Sequence, residues 1–496
     1  MKKEYDIAIV GSGAGGSTVA ARLAPLAEAG ARIALLEAGP HFPVDYFTQR
    51  EIEMLNIFAY RGAFPTTDGA MTLSFGKALG GSTLMYTGVT FRLPEEVCAD
   101  WNVEGLSSKN LQPRFERLEK EINAIVPEEG MMNENNRLFR KACQRLGLGV
   151  QKIRLNLRNC EGMGFCNLGC AKGNKQGTLA VQIPEARKAG IEIIPNCTVE
   201  RIDNQVLTAN VCPAPKGTLP GPWSAGRVKI KARQIILAGG TIGTSAILLR
   251  SGFQKQFPVL GRYVTLHPAL VVYGIHPHKV NGFKGFPKVF YCDDFSKTLD
   301  YYLETAFYYP FITAKNTGLW GDALNYVMDR YDRLMCILIL SHDEASSDNR
   351  VLLDKKGSPK LNYKISASTI ETLCRAQIQA SRIFFEAGCE EAIMPCAEKI
   401  LFKKGDVRGS LWRFISAQNF LPNKVPVASA HLQGGCRMGG DSSDSVTNSW
   451  GQVHGHPGLF VADGSLFPKS SHVNPYLTIM ALADRVSEKV LEGHGA

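Results

Sequence analysis

Apolar and polar positions fall into distinct blocks along the first forty residues. Tyr5 to Val10 is a short apolar run that predicts a strand; it ends in Gly11-Ser-Gly13-Ala-Gly15-Gly16, after which Val19, Ala20, Leu23 and Leu26 recur at helical spacing. A second run, Arg32 to Leu36, predicts another strand and delivers Glu37 at its end. Strand, glycine-rich turn, helix and parallel strand in this order form one half of a dinucleotide-binding fold. Here Gly11 permits the tight turn, Gly13 lets the backbone approach a pyrophosphate, and Gly16 lets helix and strand pack closely. The phosphates rest on the helix N-terminus, whose free N–H groups favour an anion. Glu37 can accept from ribose hydroxyls and argues against a 2′-phosphate, so FAD or NAD is preferred over NADP.

Helical patterns resume at Ser107 to Ile125 and Asn136 to Leu146. Ile191 to Pro195 and Gln234 to Leu237 suggest another pair of strands, the latter running into Ala238-Gly239-Gly240-Thr241 and a helix with Ile247, Leu248 and Leu249. Val351 to Asp354 and Lys360 to Ile365 read as a β-hairpin in a separate, more β-rich region. The end returns to strand (Leu459 to Ala462), turn (Asp463-Gly464) and helix (Pro475 to Leu491).

With 496 residues, 45% hydrophobic and 21% charged, the composition is that of a globular chain of about three units, or two interleaved ones. The apolar run Leu334 to Leu340 is far short of the ~20 residues of a bilayer span, so no transmembrane segment is expected. Glu4 and Asp6 interrupt the basic start, no export signal is visible, and the default expectation is cytoplasmic. The net charge of +10 comes from well-mixed residues, which reads as a solvated surface with no nucleic-acid role; a docking face for an acidic redox partner stays open. The 13 cysteines are scattered, which argues against a full disulfide framework.

Several segments together resemble the glucose-methanol-choline (GMC) family of FAD oxidoreductases over nearly the whole chain. They are the N-terminal turn with Glu37; Gly76-Lys-Ala-Leu-Gly80-Gly81-Ser82-Thr; Ala238 to Gly252; His431-Leu-Gln-Gly-Gly-Cys-Arg-Met-Gly439; Val461-Ala-Asp463-Gly; and Asn474-Pro475-Tyr-Leu-Thr478-Ile. The resemblance implies an α/β fold: a Rossmann-like FAD-binding domain built from discontinuous segments, and a substrate domain with a largely antiparallel sheet flanked by helices. The expected division is FAD domain at 1–95, 191–265 and 426–496, a cap region with the cysteine cluster at 96–190, and the substrate domain at 266–425. The family pattern puts Gly11, Gly13, Gly16 and Glu37 on the ADP part of FAD. It puts Gly80, Gly81 and Ser82 near the pyrophosphate and isoalloxazine, Val199 beside the adenine, and Asp463 at the pyrophosphate and ribityl region. For Val199 a plain strand residue is the alternative.

Flavin oxidation of an alcohol needs a base for the hydroxyl proton and a hydride acceptor. By resemblance His431 is the active-site histidine, and Asn474 matches the second active-site position, where an amide can orient the hydroxyl without competing for the proton. His472, two residues earlier, reads as structural or surface, and the role of His267 is not readable. Tyr301, Tyr302, Phe307, Tyr308, Tyr309 and Phe311 crowd the β-rich region and suit an apolar pocket, a sugar platform or plain core.

Cys160, Cys166 and Cys170 have the spacing C-x5-C-x3-C, the ferredoxin run with Met163 at its second cysteine position. Three thiolates suit a [3Fe-4S] cluster, and the segment resembles that of bacterial FAD-dependent sugar dehydrogenases in this family. A disulfide or free structural thiols are the alternative. The expectation is a dehydrogenase that oxidises an alcohol or sugar and passes electrons through the cluster to a quinone or a cytochrome c; the resemblance also permits a small subunit whose signal would carry both to the periplasm, as the alternative to the cytoplasmic default. The alternative is an oxidase that uses O₂, makes H₂O₂ and has structural cysteines. An FAD-binding electron-transfer or assembly subunit, an NAD-dependent enzyme and a non-redox flavoprotein are further alternatives.

Overall fold

The computed structural model of the chain describes residues 2–405 and 415–494. Two sheets organise it. The first has seven strands, in the order Cys197–Asp203, Val206–Val211, Gly226–Leu237, Lys2–Val10, Ile33–Leu36, Glu192–Ile194, with Leu459–Val461 beside the end of Gly226–Leu237. Lys2–Val10 pairs in parallel with both of its neighbours. Ile7, Ile9, Ile33, Leu35 and Ile236 are buried, as parallel strands covered on both faces must be. The helix Ala14–Arg22 lies against Lys2–Val10 and Ile33–Leu36 of this sheet, and Gln182–Lys188 and Tyr476–Glu492 pack on that helix. The segments around Ile191 and Gln234 do share a sheet but do not pair, because Lys2–Val10 and Ile33–Leu36 lie between them.

The second sheet has ten strands and is mostly antiparallel. Ala269–Ile275 and Leu334–Ser341 form its centre, followed by Tyr301–Thr305 and Phe290–Cys292. Leu334–Ser341 is buried on both faces, which is why its sequence shows a continuous apolar run. Met335, Ile337 and Ile339 pack under the 20-residue helix Ala367–Glu386, while Cys336, Leu338 and Leu340 join Val271, Tyr273 and Tyr302 on the opposite face. That long helix, capped by Ser366, was not legible in the apolar pattern. The expected hairpin exists as Arg350–Leu353 and Pro359–Asn362, but it forms a two-stranded sheet of its own against the helix Gly240–Arg250. Among the described residues no helix is long and apolar enough to cross a membrane.

Asp484 ties three helices together. Its buried carboxylate meets Arg22 of Ala14–Arg22 and both Arg114 and Arg117 of Ser108–Glu121. Burial alone would raise this carboxyl, but the hydrogen bonds and charges of Arg22, Arg114 and Arg117 outweigh it and hold it below the usual range. Because its folded pKa is depressed, Asp484 contributes stability at neutral pH that is lost as pH falls through that folded value. Asp484→Ala strands the guanidiniums around an empty site and is expected to cost about 3 kcal/mol in urea unfolding at pH 7. The gap from wild type should narrow in acid; a gap that stays constant down to pH 2 would contradict the assignment.

Candidate active site

The glycine-rich turn is built by backbone pressed on backbone. A Cβ on Gly11 would overlap the carbonyl of Ala238, one on Gly15 the carbonyl of Ala462, and one on Gly16 the carbonyl of Gly11. Gly13 differs: a Cβ there meets nothing within 4 Å, so this position faces open space. The loop of Gly80, Gly81 and Ser82 closes over the turn, with the Gly80 N–H on Ser12 Oγ at 3.0 Å and a Cβ on Gly81 only 2.7 Å from Gly13 Cα. Ser82 Oγ accepts from the N–H of Gly76 at 2.9 Å, which pins the loop's other end.

Glu37 is buried beside them. Its carboxylate accepts from Ser12 N–H and Oγ–H at 3.0 and 2.7 Å and from Gly39 N–H at 2.7 Å, while burial pushes the carboxyl up against those bonds. Cys197 donates its N–H to the carbonyl of Glu37, which brings the buried Val199 near the end of the Glu37 strand. Asp463 is wholly engaged: one oxygen accepts from Gly240 N–H and Thr244 Oγ, the other from Ser465 N–H and Oγ. Its side chain therefore fastens the helix Gly240–Arg250 instead of reaching outward.

His431 and Asn474 meet. Asn474 Nδ2 lies 3.3 Å from His431 Nε2, and Asn474 Oδ1 accepts from the Tyr302 hydroxyl at 2.9 Å. The chain enters Asn474 through His472, whose φ of 58° turns the backbone, with Ser471 Oγ bonded to the carbonyl of Val473. Three further imidazoles surround the pair. His267 Nδ1 is 2.9 Å from His431 Nδ1, and His342 packs edge-on to His267 and stacks on His472 at 4.5 Å. Burial, followed by the charge of Lys288, pushes His431 down to about 3, and burial lowers His267, His342 and His472 as well. Lys288 is paired with Glu304, both buried, and Glu304 Oε1 has no hydrogen-bond partner. In the sequence Tyr302 stood out only as one of six aromatics suited to a pocket, a sugar platform or core, and nothing there pointed to His342, Lys288 or Glu304 as its neighbours. Only the alternation of Tyr302 and Glu304 on one strand face could have linked two of them.

Residues 54–269 match the N-terminal profile of the GMC oxidoreductases and residues 345–483 the C-terminal one, together well over half of the chain. The chain belongs to the GMC oxidoreductase family. It is 27% identical to the long-chain-alcohol oxidase FAO4B of Arabidopsis thaliana over 98% of this chain and 67% of that protein. It is also 22% identical to a cholesterol oxidase of Mycobacterium tuberculosis over 98% and 91%. Among solved structures it resembles pyridoxine 4-oxidase from Mesorbium loti, with a TM-score of 0.72 at 18% identity over 98% of this chain and 99% of that one.

The cofactor of this family is FAD, and the turn fits it. Gly13 faces open space, the helices Ala14–Arg22 and Tyr476–Glu492 begin without a side-chain cap, and buried hydroxyls of Thr241 and Thr478 have no partner. Of the residues expected at FAD, Gly11, Gly13, Gly16, Glu37, Gly80, Gly81 and Ser82 gather at this turn, Val199 lies near the end of the Glu37 strand, Asp463 fastens the helix Gly240–Arg250, and Asn474 stands beside His431.

All 13 cysteines are unpaired. Cys160, Cys166 and Cys170 line one cavity of about 30 Å³, room for about one water. Cys160 Sγ accepts from Gly162 N–H at 3.4 Å and Cys170 Sγ from Asn174 N–H at 3.2 Å. Buried Lys175 borders the same cavity and donates to the carbonyls of Leu84, Tyr86 and Cys166, so the segment is tethered to the chain that follows Gly80–Ser82. Among the described residues no three His, Cys, Asp or Glu side chains converge on a metal position. This arrangement gives a [3Fe-4S] cluster no support.

Two substitutions separate the roles of the glycines. Gly16→Ala should leave little folded protein, because its methyl group overlaps the Gly11 carbonyl. Gly13→Ala should fold with an unchanged circular dichroism spectrum yet purify with much less FAD. Full flavin content in folded Gly13→Ala would show that the pyrophosphate lies elsewhere.

Proposed function

We propose that the chain oxidises the hydroxyl of an apolar alcohol, with His431 as the base. Bound FAD supplies the hydride acceptor. The observation that carries this reading is the pairing of a neutral, desolvated imidazole with an amide fixed by Tyr302. Asn474 would hold the substrate oxygen beside His431 Nε2, and burial keeps water away from the transfer. The apolar substrate is supported by relatives named as oxidases of long-chain alcohols and cholesterol; Tyr302 itself packs in an apolar cluster with Val271, Tyr273, Leu338 and Leu340. Those names also favour O₂ as the electron acceptor, with H₂O₂ as product.

A second reading keeps the dehydrogenase with a protein or quinone acceptor. It is favoured by the three cysteines around one cavity beside a buried lysine, and it requires those side chains to draw closer than they are. Iron and acid-labile sulfide per flavin, measured on protein purified without air, separate the two. About three irons per flavin would establish the cluster; iron-free protein that forms H₂O₂ with dodecan-1-ol would establish the oxidase.

His431→Ala should retain FAD while slowing anaerobic flavin reduction by dodecan-1-ol about 10²-fold or more. Unchanged reduction would remove His431 from the chemistry. Since His431 is already deprotonated above a pKa of about 3, the wild-type reduction rate should be flat from pH 6 to 9. An inflection near the ordinary histidine value would place the ring in water.

A further inference from the structure

His267 is completely buried, and both of its ring nitrogens are engaged. Nδ1 faces His431 Nδ1 at 2.9 Å; Nε2 lies 2.9 Å from Ser470 Oγ and 3.2 Å from Gln433 Nε2. Two Nδ1 atoms at that distance share one proton, one ring donating and the other accepting. Both rings are neutral, because burial lowers both, so the pair carries two protons on four nitrogens. One lies between the rings, and the other sits on the outer Nε2 of His267 or of His431.

The neighbours pull in opposite directions. Asn474, its oxygen taken by Tyr302, turns N–H groups toward His431 Nε2 and favours a bare nitrogen there. Gln433, its oxygen taken by Ser471 N–H at 2.8 Å, turns N–H groups toward His267 Nε2 and favours a bare nitrogen at that end. Ser470 Oγ serves either arrangement, since a hydroxyl both donates and accepts. Only one of the two leaves His431 Nε2 free to take a proton.

We propose that His267 is a positioning residue: donating from Nε2 to Ser470, it accepts the Nδ1 proton of His431 and so holds His431 in the tautomer that can act as base, while Gln433 opposes it. This rests on the base role proposed for His431. In the reaction the hydroxyl O–H bond breaks, an N–H bond forms at His431 Nε2, and the proton between the rings shifts toward His267, spreading the positive charge over two imidazoles. His267 thus holds the position that a carboxylate holds behind the histidine of a Ser-His-Asp triad.

The test uses FAD-loaded enzyme with ¹⁵N-labelled histidine, reading the His431 tautomer from its ring nitrogen shifts, together with anaerobic flavin reduction by dodecan-1-ol. Gln433→Glu keeps an acceptor for Ser471 N–H and places a second acceptor against His267 Nε2; it should convert His431 fully to the Nδ1–H form and retain or raise the reduction rate. His267→Leu should release His431 toward the Nε2–H form and slow reduction about tenfold or more, with FAD content and half-saturating alcohol unchanged. One His431 tautomer common to wild type and both variants overturns the proposal, as does an equal loss of rate in both variants. If His431→Ala abolishes reduction while His267→Leu does nothing, the positioning role alone fails. If His431→Ala also does nothing, the base assignment fails with it.

Discussion

The site exists because four stretches of backbone, distant in sequence, touch at one point. The carbonyls of Ala238 and Ala462 occupy the places where side chains on Gly11 and Gly15 would begin, and Gly81 lies against Gly13. No other residue type permits this approach. The contact joins the first strand of the chain to Gly226–Leu237, to the Gly80 loop and to Leu459–Val461. It brings in the last of these together with Asp463, whose carboxylate then caps Gly240–Arg250. His431 follows the same scaffold: the N–H of Gly434 bonds the carbonyl of Gly464, and that of Cys436 bonds the carbonyl of Ser465. The glycine turn and the histidine proposed as the base, more than four hundred residues apart, are thus two ends of one backbone assembly.

What the sequence disclosed follows from this. Glycines that admit no substitute leave a local signature, so the turn and the first strands could be read directly, whereas His431 and Asn474 stood out only through the family resemblance of their motifs. The second sheet left less. Leu334–Ser341 has no period because both of its faces are buried, and Ala367–Glu386 buries Thr369, Gln377 and Ser381 along its apolar stripe, which blurs the helical pattern. The partners of the catalytic pair were invisible for a different reason. Tyr302 reaches Asn474 across 172 positions and His267 reaches His431 across 164, and no short motif encodes such a meeting. His472, read as a structural or surface residue, proves to be a packing residue of the site through its stack with His342.

The electrostatics of the site constrain the chemistry it can perform. Four imidazoles gather, and among the described residues no carboxylate is hydrogen-bonded to any of them; burial of all four and the charge of Lys288 beside His431 disfavour an imidazolium there. A base this weak does not ionise a resting alcohol. It can accept the proton once hydride departure has begun, because loss of hydride turns the hydroxyl into a protonated carbonyl, which is a strong acid. In the proposed reaction, cleavage of the O–H and C–H bonds is therefore coupled, and the site gains from holding the proton acceptor neutral, dry and correctly oriented more than from making it basic. Orientation becomes the quantity that the surrounding residues must supply, and the hydrogen bonds that Tyr302 and Ser471 donate and that Ser470 accepts in the proposed arrangement all act on it.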